Sequence, residues 1–198
     1  ADWDTALNKI KDELNKRGKE KTIALSGKFT DAETIIASKL FLDGLGSHLY
    51  DCRFDNAQII HNESESYKFN SSIQEIENAD AILLVGSNPR WEASVLNARI
   101  RKAYINNNCK VGVIGPDLDL NYPYTKISNS LSGLNDIKEK KSEFSNIFHN
   151  SKNPLIIIGT SAINNSEGAS VLKLCADIAK KLPNYSNTFN PLNILNQD

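Results

Sequence analysis

Four glycine-containing segments each follow a short apolar run, and they are the places where this sequence could bind a ligand. They are residues 27–30, 86–90, 115–117 and 159–161. If the apolar runs are parallel strands, these segments lie at the strand ends where open α/β sheets bind ligands. Free backbone N–H groups at the start of a following helix attract anions such as phosphate. The alternative is that the glycines only end the strands tightly, and the sequence leaves both interpretations open.

Known fingerprints for nucleotides, metals and nucleophilic catalysis are missing from these segments. No strand is followed by G-x-G-x-x-G, and no G-x-x-x-x-G-K-[ST] loop or G-x-S-x-G elbow occurs. The histidines and cysteines are too scattered for a zinc or iron–sulfur site: His48, His61, His149, Cys52, Cys109 and Cys175. We therefore predict no catalytic residue and no metal ligand, with the histidines on the surface and Cys109 and Cys175 in the core.

A charged group surrounds the start of one predicted helix. It consists of Arg90, Glu92, Arg99 and Arg101. Glu92 in the first turn suits the helix dipole, and the planar arginine fork suits ion pairs across an interface. The group is interpreted either as an ordinary solvated helix face or as a surface that meets a partner protein.

Predicted strands and helices alternate along the chain. The glycine-containing segments lie between them, each at the end of a predicted strand. Continuous apolar runs at residues 81–86, 110–115 and 154–159 are typical of strands buried on both faces, and shorter runs occur at 22–26 and 47–53. Helical spacing is found near residues 3–17, 30–43, 73–78, 91–106, 133–150 and 167–181, with Thr30 and Glu33 as a capping box. Residues 55–71, 117–132 and the tail from Asn184 are expected to be irregular. The predicted fold class is α/β, with parallel sheets covered by helices on both faces.

Composition excludes several classes of protein. The 198 residues carry a formal net charge of -1, without a basic cluster that would indicate nucleic-acid binding. No apolar run approaches the roughly 20 residues that a membrane span needs, so direct membrane insertion is not expected. The chain starts at Ala1 and contains no Met, and we expect it to be a section of a longer polypeptide from a reducing compartment.

Residues 79–92, ADAILLVGSNPRWE, and residues 95–102, VLNARIRK, carry a resemblance to a known family. Together they resemble the large iron–sulfur subunit of respiratory complex I, the enzyme that in bacteria is called NADH-quinone oxidoreductase. Weaker similarity extends to residues 3–7, 45–47, 51–53, 113–115, 119–122 and 154–159. The resemblance therefore covers nearly the whole sequence.

The wider family implied by this resemblance is that of the molybdopterin oxidoreductases, such as formate dehydrogenase and DMSO reductase. Its members bind pterin-guanine nucleotides with the segment that here contains Gly86, Ser87, Asn88 and Pro89, and with a later D-P-R-x-T segment. In this chain the later segment reads Gly-Pro-Asp-Leu-Asp at residues 115–119, without the phosphate-binding arginine. The resemblance thus implies a vestigial corner and no cofactor in this section, with iron–sulfur clusters elsewhere in the full subunit.

The resemblance also implies a role and a domain arrangement. The expected role is that of a structural module in the peripheral arm of NADH:quinone oxidoreductase, with other peripheral-arm subunits as partners. The expected location is the cytoplasmic side of the inner membrane, or the matrix side in mitochondria. The expected domains are a first α/β unit of residues 1–70 and 150–198, with residues 71–149 inserted. Two alternatives remain open: a molybdopterin-guanine-dinucleotide-binding domain of an active oxidoreductase, and the middle domain of a thiamine-diphosphate enzyme.

Overall fold

The structure is a computed structural model that describes residues 1–27, 29–52, 58 and 66–195. The chain divides into two units, Ala1–Phe54 and Asp55–Gln197, and each is described by itself. The predicted class is confirmed, because every pairing within the two described sheets is parallel and helices accompany the strands.

The unit Ala1–Phe54 contains two helices and a two-stranded parallel sheet. Its elements are α1 (Trp3–Arg17), β1 (Ile23–Leu25), α2 (Ala32–Leu45) and β2 (Leu49–Asp51). Asp2 caps α1 by accepting a hydrogen bond from the Thr5 backbone N–H, and Gly18 ends this helix as expected. The predicted capping box of Thr30 and Glu33 is wrong. Asp31 caps α2 instead, because its carboxylate reaches the Thr34 N–H at 2.7 Å.

The unit Asp55–Gln197 is built around one five-stranded sheet. Its helices are α3 (Ile73–Glu77), α4 (Pro89–Glu92), α5 (Ser94–Asn107), α6 (Gly133–Lys138), α7 (Glu143–Asn150) and α8 (Gly168–Ala179). Its strands are β3 (Ala81–Val85), β4 (Lys110–Ile114), β5 (Thr125–Ser128), β6 (Pro154–Gly159) and β7 (Leu192–Leu195). The strand order is β5-β4-β3-β6-β7. Ala81 faces Lys110 on one side and Pro154 on the other, so β3 is the central strand.

The apolar run of β3 divides between two cores because side chains alternate across a strand. Leu83 and Val85 pack in the core formed with α6, α7 and α8, while Ile82 and Leu84 pack in the core formed with α3 and α5. All five residues of β3 are buried. Full burial of one such aliphatic side chain contributes roughly 1.5–3 kcal/mol, so these two cores stabilise the sheet from both faces.

The observed strand pairing corrects the predicted domain arrangement. The sequence-based expectation placed Pro154–Gly159 with the first strands and outside the inserted unit. In the structure β6 lies between β3 and β7, and residues 66–149 and 150–195 share one sheet and its cores. The physical reason is burial. All six residues of β6 are covered, and the side chains that cover them belong to α8 on one face and to the α3–α5 side on the other.

Two strands and one helix break were not predicted. β5 lies in the stretch 117–132 and β7 in the tail from Asn184, both expected to be irregular. Each is an edge strand with polar residues in its run, so neither shows the continuous apolar signature of a central strand. The predicted helix 91–106 is interrupted at Ala93, whose backbone angles of -152° and 71° separate α4 from α5. The predicted loop at residues 55–71 lies largely outside the described residues.

Candidate ligand site at the strand ends

The direction in which successive strands are added to the sheet reverses between β3 and β6, and the carboxyl ends of these two strands lie at this switch point. From β3 the chain adds β4 and β5 on one side, then returns to add β6 and β7 on the other. In open α/β sheets such a switch point opens a crevice in which ligands bind. Gly86 directly follows β3, and Gly159 is the last residue of β6. The predicted corner of Gly86, Ser87, Asn88 and Pro89 therefore lies at the expected ligand position of the fold.

Gly86 is held by contacts on both sides. Its φ of +55° belongs to the left-handed region that glycine adopts easily. Its N–H donates to the Ile114 carbonyl oxygen at 2.8 Å. Its own carbonyl oxygen accepts a hydrogen bond from the Ser161 hydroxyl group. A Cβ atom at Gly86 would lie 2.7 Å from the Cβ atom of Ala162. No side chain fits at this position.

Gly159 lies against the same corner from the β6 side. A Cβ atom there would overlap the Gly86 carbonyl oxygen and approach the Cα atom of Ser87 at 2.9 Å. The short 3-10 helix Thr160–Ala162 continues from Gly159 and carries both Ser161 and Ala162 onto Gly86. The space between the ends of β3 and β6 is thus filled by the chain itself.

The other residues of the corner are also engaged in the fold. Ser87 is 5% exposed, and its hydroxyl group donates to the Glu92 carboxylate at 2.8 Å. Pro89 is the buried first residue of α4. The Asn88 carbonyl oxygen accepts from the N–H groups of Trp91 and Glu92. The side-chain oxygen Oδ1 of Asn88 is buried without a hydrogen-bond partner in the described part of the chain. This side-chain atom could accept a hydrogen bond from a small donor.

The segment after β4 contains Asp117 and Asp119, whereas the resemblance implies an arginine in this segment. Asp117 pairs with Lys126 at 2.8 Å between Oδ1 and Nζ. Asp119 pairs with Arg90 at 2.5 Å, and its carbonyl oxygen accepts a second bond from the same guanidinium at 2.9 Å. Arginine forms strong charge-assisted hydrogen bonds with phosphate groups. Both cations of this segment, Lys126 and Arg90, instead pair with carboxylates.

The predicted charged group is brought together only in part. Arg90 turns towards Asp119 and Glu92 towards Ser87, whereas Arg99 pairs with Glu77 at 2.5 Å. Lys102 binds the second oxygen of Glu77 at 2.7 Å. Hydrogen bonds from Lys102 and then Arg99 hold the pKa of Glu77 below its usual range. These contacts tie α3 to α5.

Arg101 differs from the rest of this group. It is exposed, and it forms no ion pair with any residue that the structure describes. Its neighbours Arg99 and Lys102 share Glu77, which leaves the α5 surface with an excess of positive charge.

The histidines and cysteines do not assemble into a site. Within the described ranges, no three His, Cys, Asp or Glu side chains lie close enough to hold a metal ion. His48 is exposed beside Asp43, as predicted for the surface, while His61 falls outside the described residues. The surface prediction is wrong for His149. This side chain is partly buried with Nε2 3.0 Å from the Ile137 carbonyl oxygen, and burial lowers its pKa.

The thiol groups follow the prediction for core cysteines. Cys109 and Cys175 are buried and Cys52 is exposed. Burial raises the pKa of Cys109 to about 12, and it also raises the pKa of Cys175. Because only the thiolate reacts, both buried thiols are expected to be unreactive near neutral pH.

Sequence reasoning placed Ser161 in a candidate ligand-binding segment, residues 159–161, but did not predict that its hydroxyl group binds the Gly86 carbonyl oxygen. The signal that could reveal Ser161 is a small hydroxyl residue two positions after the strand, because such a side chain reaches backbone groups nearby. The partners of Asp117 and Asp119 were also missed, since Lys126 and Arg90 are nine and 29 residues away from them.

An open parallel sheet flanked by helices, with its switch point at Gly86 and Gly159, defines a doubly wound α/β domain. The family model described as molybdopterin oxidoreductase matches residues 1–198. The chain belongs to this family.

Relatives with recorded functions point to one branch of the family. The chain is 34% identical over 193 residues to NADH dehydrogenase (ubiquinone) iron-sulfur protein 1, mitochondrial, of Solanum tuberosum. It is 32% identical to the mitochondrial NADH-ubiquinone oxidoreductase 78 kDa subunit of Candida albicans and to the 75 kDa subunit of Reclinomonas americana. The alignments cover 98%, 100% and 98% of this chain, but only 26%, 28% and 30% of those relatives. The sequence thus spans about a quarter of their length.

No helix in the described ranges is both long and apolar enough to cross a membrane.

Proposed function

We propose that the chain is a structural module within the large iron–sulfur subunit of an NADH–quinone oxidoreductase, and that it binds no molybdopterin. In this role it supports electron transfer from NADH to quinone, while other sections of the subunit carry the iron–sulfur clusters. The identity of 32–34% along nearly the whole sequence to three such subunits supports the assignment.

The closed crevice at the sheet switch point is the observation that carries the proposal. The Ser161 hydroxyl group binds the Gly86 carbonyl oxygen, and the main chain at Gly159 lies directly against Ser87. A nucleotide cofactor at this place would have to displace a hydrogen-bonded piece of the fold. Asp117 and Asp119 pair with Lys126 and Arg90 beside the corner, which leaves these two cations less available to a phosphate group.

A second candidate function is a molybdopterin-guanine-dinucleotide-binding domain of an active oxidoreductase. The unpartnered Oδ1 atom of Asn88 favours it, since a buried acceptor without a partner costs about 1–3 kcal/mol unless a donor reaches it. An amide or amino group of a small ligand would supply such a donor.

Metal analysis of the full-length subunit decides between the two candidates. We expect no stoichiometric molybdenum or tungsten, and no pterin released by acid oxidation and detected by its fluorescence. Iron from the clusters in the same sample serves as the internal control for a loaded subunit. Molybdenum or tungsten together with pterin at one equivalent per subunit would overturn the proposed function and establish the second.

The proposed partners are other peripheral-arm subunits of the same complex, with no nucleic acid among them. The proposed location is the matrix side of the mitochondrial inner membrane, or the cytoplasmic side of a bacterial one, without insertion of this section into the lipid. The mitochondrial names of the potato and Candida relatives support the first location.

The charged group around α4 and α5 is proposed to contribute to a partner contact, with Arg101 as its principal residue. Arg101 is exposed and unpaired among the described residues, so its guanidinium can bind a carboxylate of another subunit. Arg90, Glu92 and Arg99 shape this surface through their contacts within the unit.

A further inference from the structure

Within the unit Asp55–Gln197, a cavity of about 380 Å³ lies between α3, α5 and the end of β7. Its walls include Ile76, which is buried, and Phe69, Leu96 and Leu195, which pack against the core beneath. Ile73 also lines the cavity and is 56% exposed, so the cavity opens to the surface on that side. Sites for small ligands are concave, mostly apolar and roughly 300–1,000 Å³ in volume. This cavity therefore has the size and the lining of a small-ligand site.

Ser71 places an unused polar group in this apolar lining. The residue is 8% exposed, and its backbone N–H donates to the Asn193 side chain at 2.7 Å. Its hydroxyl oxygen is buried and has no hydrogen-bond partner in the part of the chain that the structure describes. A buried hydroxyl group without a partner is unfavourable and rare in folded proteins. A ligand that reaches Ser71 from the cavity would supply the missing partner.

Arg99 adds a positive charge to the same cavity. Its side chain is 39% exposed and binds Glu77 through Nη1, while Lys102 binds the second oxygen of that carboxylate. One carboxylate thus serves two cations, and none of the described residues that line the cavity is acidic. A guanidinium group has five N–H donors, so Arg99 keeps donors beyond the one that binds Glu77. The remaining positive charge favours an anionic ligand, and the planar guanidinium fork suits a carboxylate.

We propose that this cavity binds one free medium-chain fatty acid. The acyl chain packs between α3, α5 and β7, and the carboxylate group accepts hydrogen bonds from Ser71 and Arg99. The volume suits a single acyl chain, whereas a phospholipid carries two chains and a larger headgroup. A peptide would bury backbone N–H and C=O groups that this mostly apolar lining leaves without partners. The inference goes beyond the proposed function and does not depend on it.

Equilibrium dialysis of the full-length subunit against decanoate, below its micelle concentration, tests the proposal. Saturable binding at one site is expected. Decan-1-ol has the same chain without the charge, and it should bind at least about tenfold more weakly. Decyltrimethylammonium carries the opposite charge and should show no saturable binding. Absence of saturable decanoate binding, or equal affinity for decanoate and decan-1-ol, would overturn the proposal.

Ser71→Ala separates ligand binding from a structural role of this residue. The Ser71 hydroxyl group has no partner in the described structure, so its removal should leave the melting temperature unchanged or higher. The affinity for decanoate should fall about tenfold, because a hydrogen bond to a charged group is lost. Ser166→Ala, at an exposed serine away from the cavity, should leave the affinity unchanged. Parental affinity in Ser71→Ala would rule out the proposed binding mode.

Ile73→Glu tests the mouth of the cavity with a residue that the fold tolerates. Ile73 is exposed in the first turn of α3, where an acidic side chain suits the helix dipole. The added carboxylate should weaken decanoate binding at least about tenfold by repulsion. Ile105→Glu, at a 58% exposed position of α5 that does not line the cavity, is the matched control and should bind like the parent. Equal affinities of the two variants would contradict the proposed site.

Sedimentation with anionic phospholipid vesicles distinguishes a free fatty acid from a membrane lipid. The full-length subunit is expected to remain in the supernatant at decanoate-binding concentrations. Cosedimentation that Ser71→Ala abolishes would assign the cavity to a membrane lipid and overturn the proposal. A subunit with bound molybdenum would overturn the proposed function and leave these results unaffected.

Discussion

At the scale of single residues, Gly86 allows the chain to pack closely around the corner after β3. Its position between Ile114 and Ser161 leaves no space for a side chain, and its φ of +55° is unfavourable for a β-branched residue. The sequence identified Gly86 as a tight strand end. It did not reveal that Ser161 closes the crevice, because residues 75 positions apart meet only through the pairing of β3 with β6.

Replacement of Gly86 by valine is therefore expected to destabilise the unit. The left-handed backbone costs roughly 1–2 kcal/mol for a residue with a Cβ atom, and the contact with Ala162 adds to this cost. Chemical unfolding of Gly86→Val measures the loss. The control Ala98→Val adds a similar volume on the exposed side of α5 and should change the free energy of unfolding by no more than about 0.5 kcal/mol. Equal stability of the two variants would contradict the assigned turn.

The three thiol groups are expected to differ sharply in reactivity. Near neutral pH the exposed Cys52 should react with iodoacetamide within minutes, whereas Cys109 and Cys175 should react only after denaturation. Burial keeps both core thiols protonated, with the pKa of Cys109 at about 12. Peptide mapping after alkylation assigns the modified residue. Rapid alkylation of Cys109 in the native protein would show that the α5–β4 core opens.

At the scale of elements, the central strands were predictable and the edge strands were not. β3, β4 and β6 are continuous apolar runs because both of their faces are buried. β7 contains Asn193, which is fully buried and breaks that pattern. A polar side chain is tolerated there because its hydrogen bonds are made with Ser71, Ile156 and Pro191, which lie far apart in the sequence or outside the strand. Such partners are visible only after folding.

The hydrogen bonds of Asn193 predict a large effect of an apolar substitution. Asn193→Leu retains approximate size but leaves the buried N–H of Ser71 and the Ile156 carbonyl oxygen without this partner. A loss of about 2–3 kcal/mol in the free energy of unfolding is expected, measured by denaturant titration. The control Asn164→Leu alters an exposed asparagine and should be nearly neutral. A neutral result for Asn193→Leu would mean that β7 does not pair with β6 as described.

The contact between α3 and α5 is expected to weaken in acid. The pKa of Glu77 is lowered in the folded state, so its contribution is fully present above about pH 5. That contribution is lost as the pH falls through the usual glutamate range towards the lower folded value. Glu77→Gln should therefore show a smaller loss of stability than the parent between neutral and acidic pH. Glu167→Gln, at an exposed position, should follow the parent curve. If Glu77→Gln also followed it, the ion pairs with Arg99 and Lys102 would be absent in solution.

At the scale of the whole molecule, the two units differ in how many side chains they bury. The unit Asp55–Gln197 contains two extensive cores around its sheet, while the buried residues among the described part of the unit Ala1–Phe54 are Leu42 and Ser47. The family and the parallel architecture could be predicted from the residues around Gly86. The division of the chain could not, because it depends on which strands pair, and apolar runs of equal character do not specify their neighbours.

Arg101 provides a test at the level of the assembled complex. Arg101→Glu is expected to reduce incorporation of the full-length subunit into the complex several-fold, while its melting temperature stays unchanged. The reason is that reversal of an exposed, unpaired charge affects a partner carboxylate more than the fold. Lys173→Glu reverses an exposed charge on α8 and serves as the control. Native gel electrophoresis measures incorporation. Equal incorporation of both variants would show that Arg101 belongs to an ordinary solvated helix face and contacts no partner.

The pairing of β3 with β6 also sets the order of events during synthesis on the ribosome. β3 can pair with β6 only after Pro154, the partner of Ala81, has been synthesised. β6 in turn pairs with β7, which ends near residue 195. Until that stretch has left the exit tunnel, the apolar faces of β3 and β4 lack their neighbours and are exposed to other nascent polypeptides. Long-range parallel pairing is slow for the same reason. The five-stranded sheet is therefore expected to form completely only after the residues of β7 have left the ribosome.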